Sequence, residues 1–388
     1  MSIATTRTHK GKAPLRFAHP FFTPTPPTQR TPTPHGRRMT DHIQGTLNAI
    51  PPVKGKSVMT LADIIGKQGA DAIEKSGRLL FHATGDTGKR ADSAQGDVAA
   101  AMARDFNVAT PQRSPAFFLH LGDVIYGHTK DSSYRQEFYE PYMHYPGKII
   151  AIPGNHDGET IPKTDPDTLR AFVANFCAPS AKVPAIAGSI FRETMTQPGI
   201  YWSLDAPFVD IIGLYSNSAE NPGFISGKIP GQAQKKWLVS LLGKTAQDRK
   251  AGKRKALIIA THHPPFSSAG HSGSKEMLAD IDDACRQANI MPDVFLSGHS
   301  HTYQRYTRRV ALVGKTLEIP FIVCGVGGFN AQPINPAQGE IDGDHTFEKS
   351  HAGYGYLLLD ASKSTLAIKA IGVNGQTTSQ FDSVNVTI

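Results

Sequence analysis

The chain has 388 residues, 39% of them hydrophobic, and a formal charge of +8. That apolar content excludes an intrinsically disordered chain, and no run stays apolar for long enough to cross a membrane. The charge would suit nucleic-acid binding if it covered the body, but residues 1–56 hold nine Lys or Arg against the single acid Asp41, which leaves 57–388 formally neutral.

Residues 1–56 read as a basic, Pro- and Thr-rich flexible tail. Thr23-Pro24-Thr25-Pro26-Pro27 and Thr31-Pro32-Thr33-Pro34 carry neither helical nor strand periodicity, and such a composition cannot offset its ordering entropy. It has no apolar h-region, so it is not an ordinary secretory signal, and a cytoplasmic location is favoured. Being Arg- and Thr-rich and poor in acids, it is faintly similar to an organelle transit peptide. Met39, directly after Arg37-Arg38, is an alternative start. Cys177, Cys285 and Cys324 are scattered without a Cys-x-x-Cys pair and read as buried free thiols.

Residues 57–388 are expected to form one catalytic domain. An amphipathic helix from Leu61 to about Lys75 leads into a strand over Arg78–Thr84, which ends at Gly85-Asp86-Thr87-Gly88. A helix over Ser93–Asp105 precedes a buried strand over Ala116–Leu121, which delivers Gly122-Asp123-Val124-Ile125-Tyr126. Lys148–Ile152 is a strand ending at Gly154-Asn155-His156-Asp157. Gln232–Leu242 is helical, with Trp237, Leu238, Leu241 and Leu242 on one face. Strands over Lys255–Ala260 and Val294–Leu296 end at Thr261-His262-His263-Pro264 and Gly298-His299-Ser300-His301. The rest (Val310–Val313, Leu317–Val323, Gly355–Leu359, Thr365–Ala370, Val384–Ile388) is mostly alternating strand. This order predicts a mixed α/β fold of two sheets packed face to face with helices outside, an αββα sandwich. Ligands in such sheets sit beyond the carboxyl ends of the strands, where all five motifs fall.

Gly85-Asp86-Thr87-Gly88 or Gly154-Asn155-His156-Asp157 alone is better read as a tight turn, because Gly and Asp are common turn formers, while Gly298-His299-Ser300-His301, with His at i and i+2, is sharper. Five in order, each closing an apolar strand, change the balance. Together they present carboxylate, amide, phenol and imidazole donors, a cage for two metal ions and hence for phosphoester hydrolysis.

The set resembles the calcineurin-like metallophosphoesterase superfamily, and more narrowly its purple acid phosphatase branch, over about residues 76–372. The superfamily's commoner first motif is Asp-x-His, whose His is a ligand; Asp86-Thr87-Gly88 lacks it. Tyr126, three residues after Asp123, matches the branch's tyrosinate ligand. His301-Thr302-Tyr303-Gln304-Arg305 is similar to its His-Ala-Tyr-Glu-Arg. The stretch from Pro265 to Gly273 resembles the small mammalian-type enzymes, which carry a functional His at the place of His271. Larger members have an N-terminal β-sandwich, for which this N-terminal region is too short and too Pro-rich.

The resemblance implies Asp86, Asp123, Tyr126 and His301 in metal site one, and Asp123, Asn155, His262 and His299 in site two, with Asp123 bridging. It implies Fe(III) in site one and Fe(II), Zn(II) or Mn(II) in site two, serving a phosphomonoesterase of small phosphoesters that uses a metal-bound hydroxide. By register with His-x-Pro, His262 is the ligand and His263 its neighbour. His156 would bond phosphoryl oxygens. His271 either protonates the leaving alkoxide or is an exposed loop histidine. His120 either orients a carboxylate or is a buried strand histidine. Asp157 would hold His156 in one tautomer, and Tyr303 and Arg305 would line the pocket. His82 reads as structural, and Gly325–Gly328 as too incomplete a fingerprint for a phosphate cradle.

A phosphodiesterase or nuclease on the same scaffold is the main alternative, against which the neutral body and the missing Asp-x-His both count. Specific nucleic-acid binding is therefore not expected, though the tail would meet anionic surfaces. Deleting residues 1–56 should leave turnover of a small phosphomonoester nearly unchanged while abolishing salt-sensitive adhesion to anionic vesicles. A well-folded truncation that has lost activity would show instead that the tail reaches the active site.

Overall fold

The structure, a computed structural model, describes residues 51–53, 57–126, 131–159, 168–228, 230–334 and 339–388. The tail assigned to residues 1–56 lies outside the described residues apart from 51–53. In chain order the strands are β1 (Val58–Thr60), β2 (Leu79–Thr84), β3 (Phe117–His120), β4 (Lys148–Ala151), β5 (Trp202–Asp205), β6 (Val209–Gly213), β7 (Ala256–Thr261), β8 (Val294–Ser297), β9 (Tyr303–Leu312), β10 (Lys315–Cys324), β11 (Ile341–Asp342), β12 (His345–His351), β13 (Tyr354–Ala361), β14 (Thr365–Asn374) and β15 (Thr377–Thr387).

They form a nine-stranded sheet in the order β1-β5-β6-β7-β8-β10-β9-β12-β11 and a six-stranded sheet in the order β15-β14-β13-β2-β3-β4. Within the smaller sheet β2, β3 and β4 run parallel, as do β6, β7, β8 and β10 in the larger. Parallel strands are covered on both faces, so consecutive residues must be apolar and belong to different cores. In β7, Ala256, Ile258 and Ala260 join the core shared with the smaller sheet, while Leu257 and Ile259 join a second core. β8 divides the same way, with Val294 and Leu296 in the first and Phe295 in the second. The second core is closed by the helices Ala233–Lys250 and Lys275–Ala288 through Leu238, Leu242, Met277 and Ile281. The helix Ala94–Arg104 packs against β13 and β14 of the smaller sheet. Two mixed sheets with helices outside are the architecture the sequence pattern implies.

Local chemistry sets several boundaries. Thr60 and Asp63 form a reciprocal capping box that starts the helix Leu61–Ser76, and Gly77 ends it in the left-handed region at φ 76°. The helix expected over Gln232–Leu242 runs on to Lys250. Its last turns lack an apolar stripe and are held instead by Arg249, which pairs with Asp293 at 2.7 Å. The separate strands expected over Val310–Val313 and Leu317–Val323 are the hairpin β9–β10, turned at Val313-Gly314 with φ of 51° and 72°. β4 lies at the edge of its sheet, and this edge is closed by side chains. Gln197 both donates to and accepts from the Ala151 backbone at 2.9 and 2.7 Å, and Trp202 Nε1–H donates to Ala151 O at 2.9 Å.

Candidate metal centre

Each functional turn follows the carboxyl end of a parallel strand and reverses sharply enough to aim its side chain between the sheets. Asp86, Asp123 and His299 all sit in the left-handed region, at φ 59°, 54° and 68°. Residues other than Gly rarely adopt it, so the surrounding bonds must hold them there. Asp86 N–H donates to Gly122 O at 3.0 Å, Gly85 N–H to Cys324 O at 2.9 Å and Gly298 N–H to His262 O at 2.9 Å, locking the turns to one another. Two glycines allow this closeness. A Cβ at Gly122 would lie 2.8 Å from Gly154 N, and one at Gly298 would lie 2.6 Å from Asp86 Oδ2.

The seven expected ligands converge in two groups. In the first, Tyr126 Oη lies 3.3 Å from Asp86 Oδ1 and 3.3 Å from His301 Nε2, and His301 Nε2 lies 3.5 Å from Asp86 Oδ1. In the second, His262 Nε2 lies 3.3 Å from Asp123 Oδ2, 3.0 Å from Asn155 Oδ1 and 3.2 Å from His299 Nδ1. Backbone acceptors set the tautomers. His262 Nδ1–H donates to Leu121 O at 2.9 Å and His301 Nδ1–H to Asn330 O at 3.2 Å, so each Nε2 keeps its lone pair for the site. His299 directs Nε2–H at Asn221 Oδ1, 3.3 Å away, and is left with Nδ1 facing His262 Nε2. Lone pairs so opposed need a cation between them.

The charges point the same way. Burial, together with the Asp123 charge, raises the Asp86 carboxyl to about 7. Asp123 is burdened by burial too, yet His262 and His156 hold it well below its ordinary value. Burial would lower His262, but the Asp123 carboxylate raises it to about 9. Without metal, a proton on His262 stands in for the cation. Burial, then Asp123 and Asp86, push the Tyr126 hydroxyl well above its ordinary value, so the metal-free phenol keeps its proton. Asp123, His262 and His299 place ligand atoms within 4.8 Å of one another. Buried carboxylate, imidazole, amide and phenol donors together fit metal ions better than they fit any arrangement of protein atoms alone.

The other expected residues divide. His156 is in the site, its ring 4.4 Å from that of Tyr126 and its N–H donating to Asp123 Oδ1 at 2.9 Å. His271 is buried, not an exposed loop residue, with its ring 4.2 Å from His299 and 5.5 Å from His301. Burial, then His301, drives its imidazole well below the ordinary value. His263 is no ligand: Ser216 Oγ lies 2.8 Å from Nδ1, and Nε2–H donates to Ala219 O at 2.7 Å.

Three assignments, those of Asp157, Tyr303 and Arg305, are corrected. Asp157 does not reach the His156 ring; its carboxylate accepts the N–H groups of Gly154, Val124 and Ile125, and Glu159 Oε2 holds His156 Nδ1 at 3.0 Å. Of the two readings of His120, the structure supports the buried strand histidine: it accepts the Gly122 N–H at Nδ1 and meets Thr87 Oγ1 at 2.9 Å, bracing two turns. Tyr303 and Arg305 do not line the site. Both bond Asp382 Oδ2 at 2.7 Å and so tie the larger sheet to β15 of the smaller. The Gly325–Gly328 stretch, read as too incomplete for a phosphate cradle, backs the Asp86 turn: Gly327 N–H donates to Gly85 O at 2.9 Å.

Glu159, Asn221, Phe329 and Gln332 were missed. Glu159 sits three residues after His156, a spacing at which side chains meet on a helical turn, so it was findable. Asn221 and Gln332 lie on irregular loops with their amide nitrogens 3.4 and 3.2 Å from the two His271 ring nitrogens, and no sequence pattern marks them.

The calcineurin-like phosphoesterase family model matches residues 79–303. No curated protein matches the sequence. Among solved structures the fold is similar to GAP50, the anchor in the inner membrane complex of Plasmodium, with 14% identity over 79% of this chain and 89% of that one and a TM-score of 0.51. PhoD aligns with 12% identity over 80% of this chain and 70% of that one, with a TM-score of 0.48. At such identities the likeness to GAP50 is one of fold alone.

The geometry separates clamp from site. Tyr303→Phe should lower unfolding free energy by about 1 kcal/mol with kcat/KM unchanged, whereas Asp123→Asn should lose metal and nearly all activity. Full metal content in purified Asp123→Asn would remove Asp123 as a ligand.

Proposed function

The chain belongs to the calcineurin-like phosphoesterase family and is a metal-dependent phosphoester hydrolase, and on that premise we propose that it is a purple acid phosphatase-like phosphomonoesterase. The observation that carries this reading is Tyr126 Oη, 3.3 Å from both Asp86 Oδ1 and His301 Nε2, where it completes site one in the absence of a first-motif histidine. Phenolate and carboxylates are hard anionic donors, which favours Fe(III) beside them; amide and imidazoles suit Fe(II), Zn(II) or Mn(II) in site two. Asp123 would serve both sites. When bound, the ions supply Lewis acidity to the phosphoryl group and a nucleophile from water near or below neutral pH.

The chain's own residues do the remaining work. His156 hydrogen-bonds a phosphoryl oxygen through Nε2, because Glu159 engages Nδ1 at 3.0 Å. Burial works against charge on this imidazole, but Asp123 and Glu159 hold it above its ordinary value, which suits an anionic substrate. His271 lies on the His299 and His301 side with the Asn221 and Gln332 amide nitrogens against its two ring nitrogens, and it donates to the leaving oxygen once the substrate displaces one amide and brings its negative charge beside the ring.

Two measurements test this. Iron-loaded protein should show a broad visible tyrosinate-to-Fe(III) band that Tyr126→Phe abolishes; a colourless protein with stoichiometric iron rules the reading out. His271→Ala should keep its metals yet slow alkyl monoesters by roughly 10²-fold while sparing activated aryl esters, and His156→Ala should slow both. Equal losses on both ester classes in His271→Ala would remove it as the acid.

A further inference from the structure

The Tyr126 ring is packed against groups that are not among the expected metal ligands, His156 on one side and Phe329 on another. Phe329 lies parallel to it, with ring centroids 3.5 Å apart and planes inclined by 3°. Lys89 Nζ is 4.7 Å from the Phe329 centroid. A face stacked that closely has no room for an ammonium, so Lys89 takes the opposite face, where the ring's quadrupole attracts it. Phe329 is pinned by its own N–H, which donates to Asp86 O at 2.9 Å. Glu137 Oε2 accepts the Tyr126 N–H at 2.7 Å. At position 88 a Cβ would lie 2.6 Å from Tyr126 Cδ2 and 2.9 Å from Ile125 Cα, well inside van der Waals contact. A side chain at position 88 and the Tyr126 ring exclude each other.

We propose that Gly88 and Phe329 are positioning residues that select a phenolate oxygen as the site-one donor. Gly88 leaves empty the space that the Tyr126 ring fills, and Phe329 fixes the plane of that ring so that Oη stays beside Asp86 and His301. Tyrosine has two side-chain torsions; packing at Gly88 limits the first and the stack on Phe329 limits the second. Phe329 thereby couples one residue to two ligands, through its ring to Tyr126 and through its N–H to Asp86. This rests on Tyr126 being an iron ligand, as argued above, and adds what makes it one.

The test compares visible spectrum, iron affinity and thermal midpoint for wild type, Phe329→Leu, Phe329→Tyr and Gly88→Ala. Phe329→Leu should stay folded, bind iron roughly 10-fold more weakly and show a shifted or broadened charge-transfer band. Phe329→Tyr keeps the stack and should restore the wild-type band. Gly88→Ala should lose the band by displacing the ring; if it does not fold, the Phe329 pair decides alone. A Phe329→Leu protein with the wild-type band and affinity overturns the positioning role while leaving Tyr126 as a ligand. A colourless iron-loaded wild type overturns both.

Discussion

Two buried carboxylates, Asp86 and Asp123, set the terms for everything around them. Neither has solvent to share its charge, and burial alone would neutralise both. The answer is to surround them with imidazoles whose lone pairs also point inward, so that only positive charge completes the group. The left-handed turns, the glycine gaps and the carbonyls of Leu121 and Asn330 all serve that convergence. Rigid strand ends from two sheets hold it, which is what a preorganised centre requires. Donor atoms on loops alone would drift apart under their own repulsion.

Much of this was legible in the sequence because it is local. An apolar run that stops at one of the five motifs announces a strand and its exit turn; β2 ends where the sequence placed it, and β3, β4, β7 and β8 end within one residue of it. The choice of His262 over His263 also followed from local register. What escaped was whatever depends on a partner distant in sequence. Tyr303 and Arg305 follow the last motif directly, yet they serve Asp382 near the carboxyl terminus. His120 lies on the strand that delivers Asp123 but braces Thr87. β5 and β6 carry no motif, and their placement is settled by tertiary burial; the helix Lys275–Ala288, with Met277, Leu278, Ile281, Ala284 and Cys285 at helical spacing, was legible and overlooked.

The segment after β10 shows how a site can be assembled from a stretch without any signature. Gly325 to Gln332 backs the Asp86 turn, stacks on Tyr126, fixes the His301 tautomer through Asn330 and reaches His271 through Gln332. None of its side chains is among the expected ligands. It acts through the orientation of those that are, the usual task of groups one step removed from a metal.

The order of strands in the smaller sheet has a consequence for biosynthesis. β2 pairs on one side with β3, which follows soon after it, and on the other with β13, where Leu80 meets Asp360. A nascent chain thus carries the strand that ends at Asp86 for most of its elongation with one edge open, and Leu79-Leu80-Phe81 along that edge is an apolar template for stray pairing. The sheet that carries the first three turns is complete only when β13, near the carboxyl end, has left the ribosome.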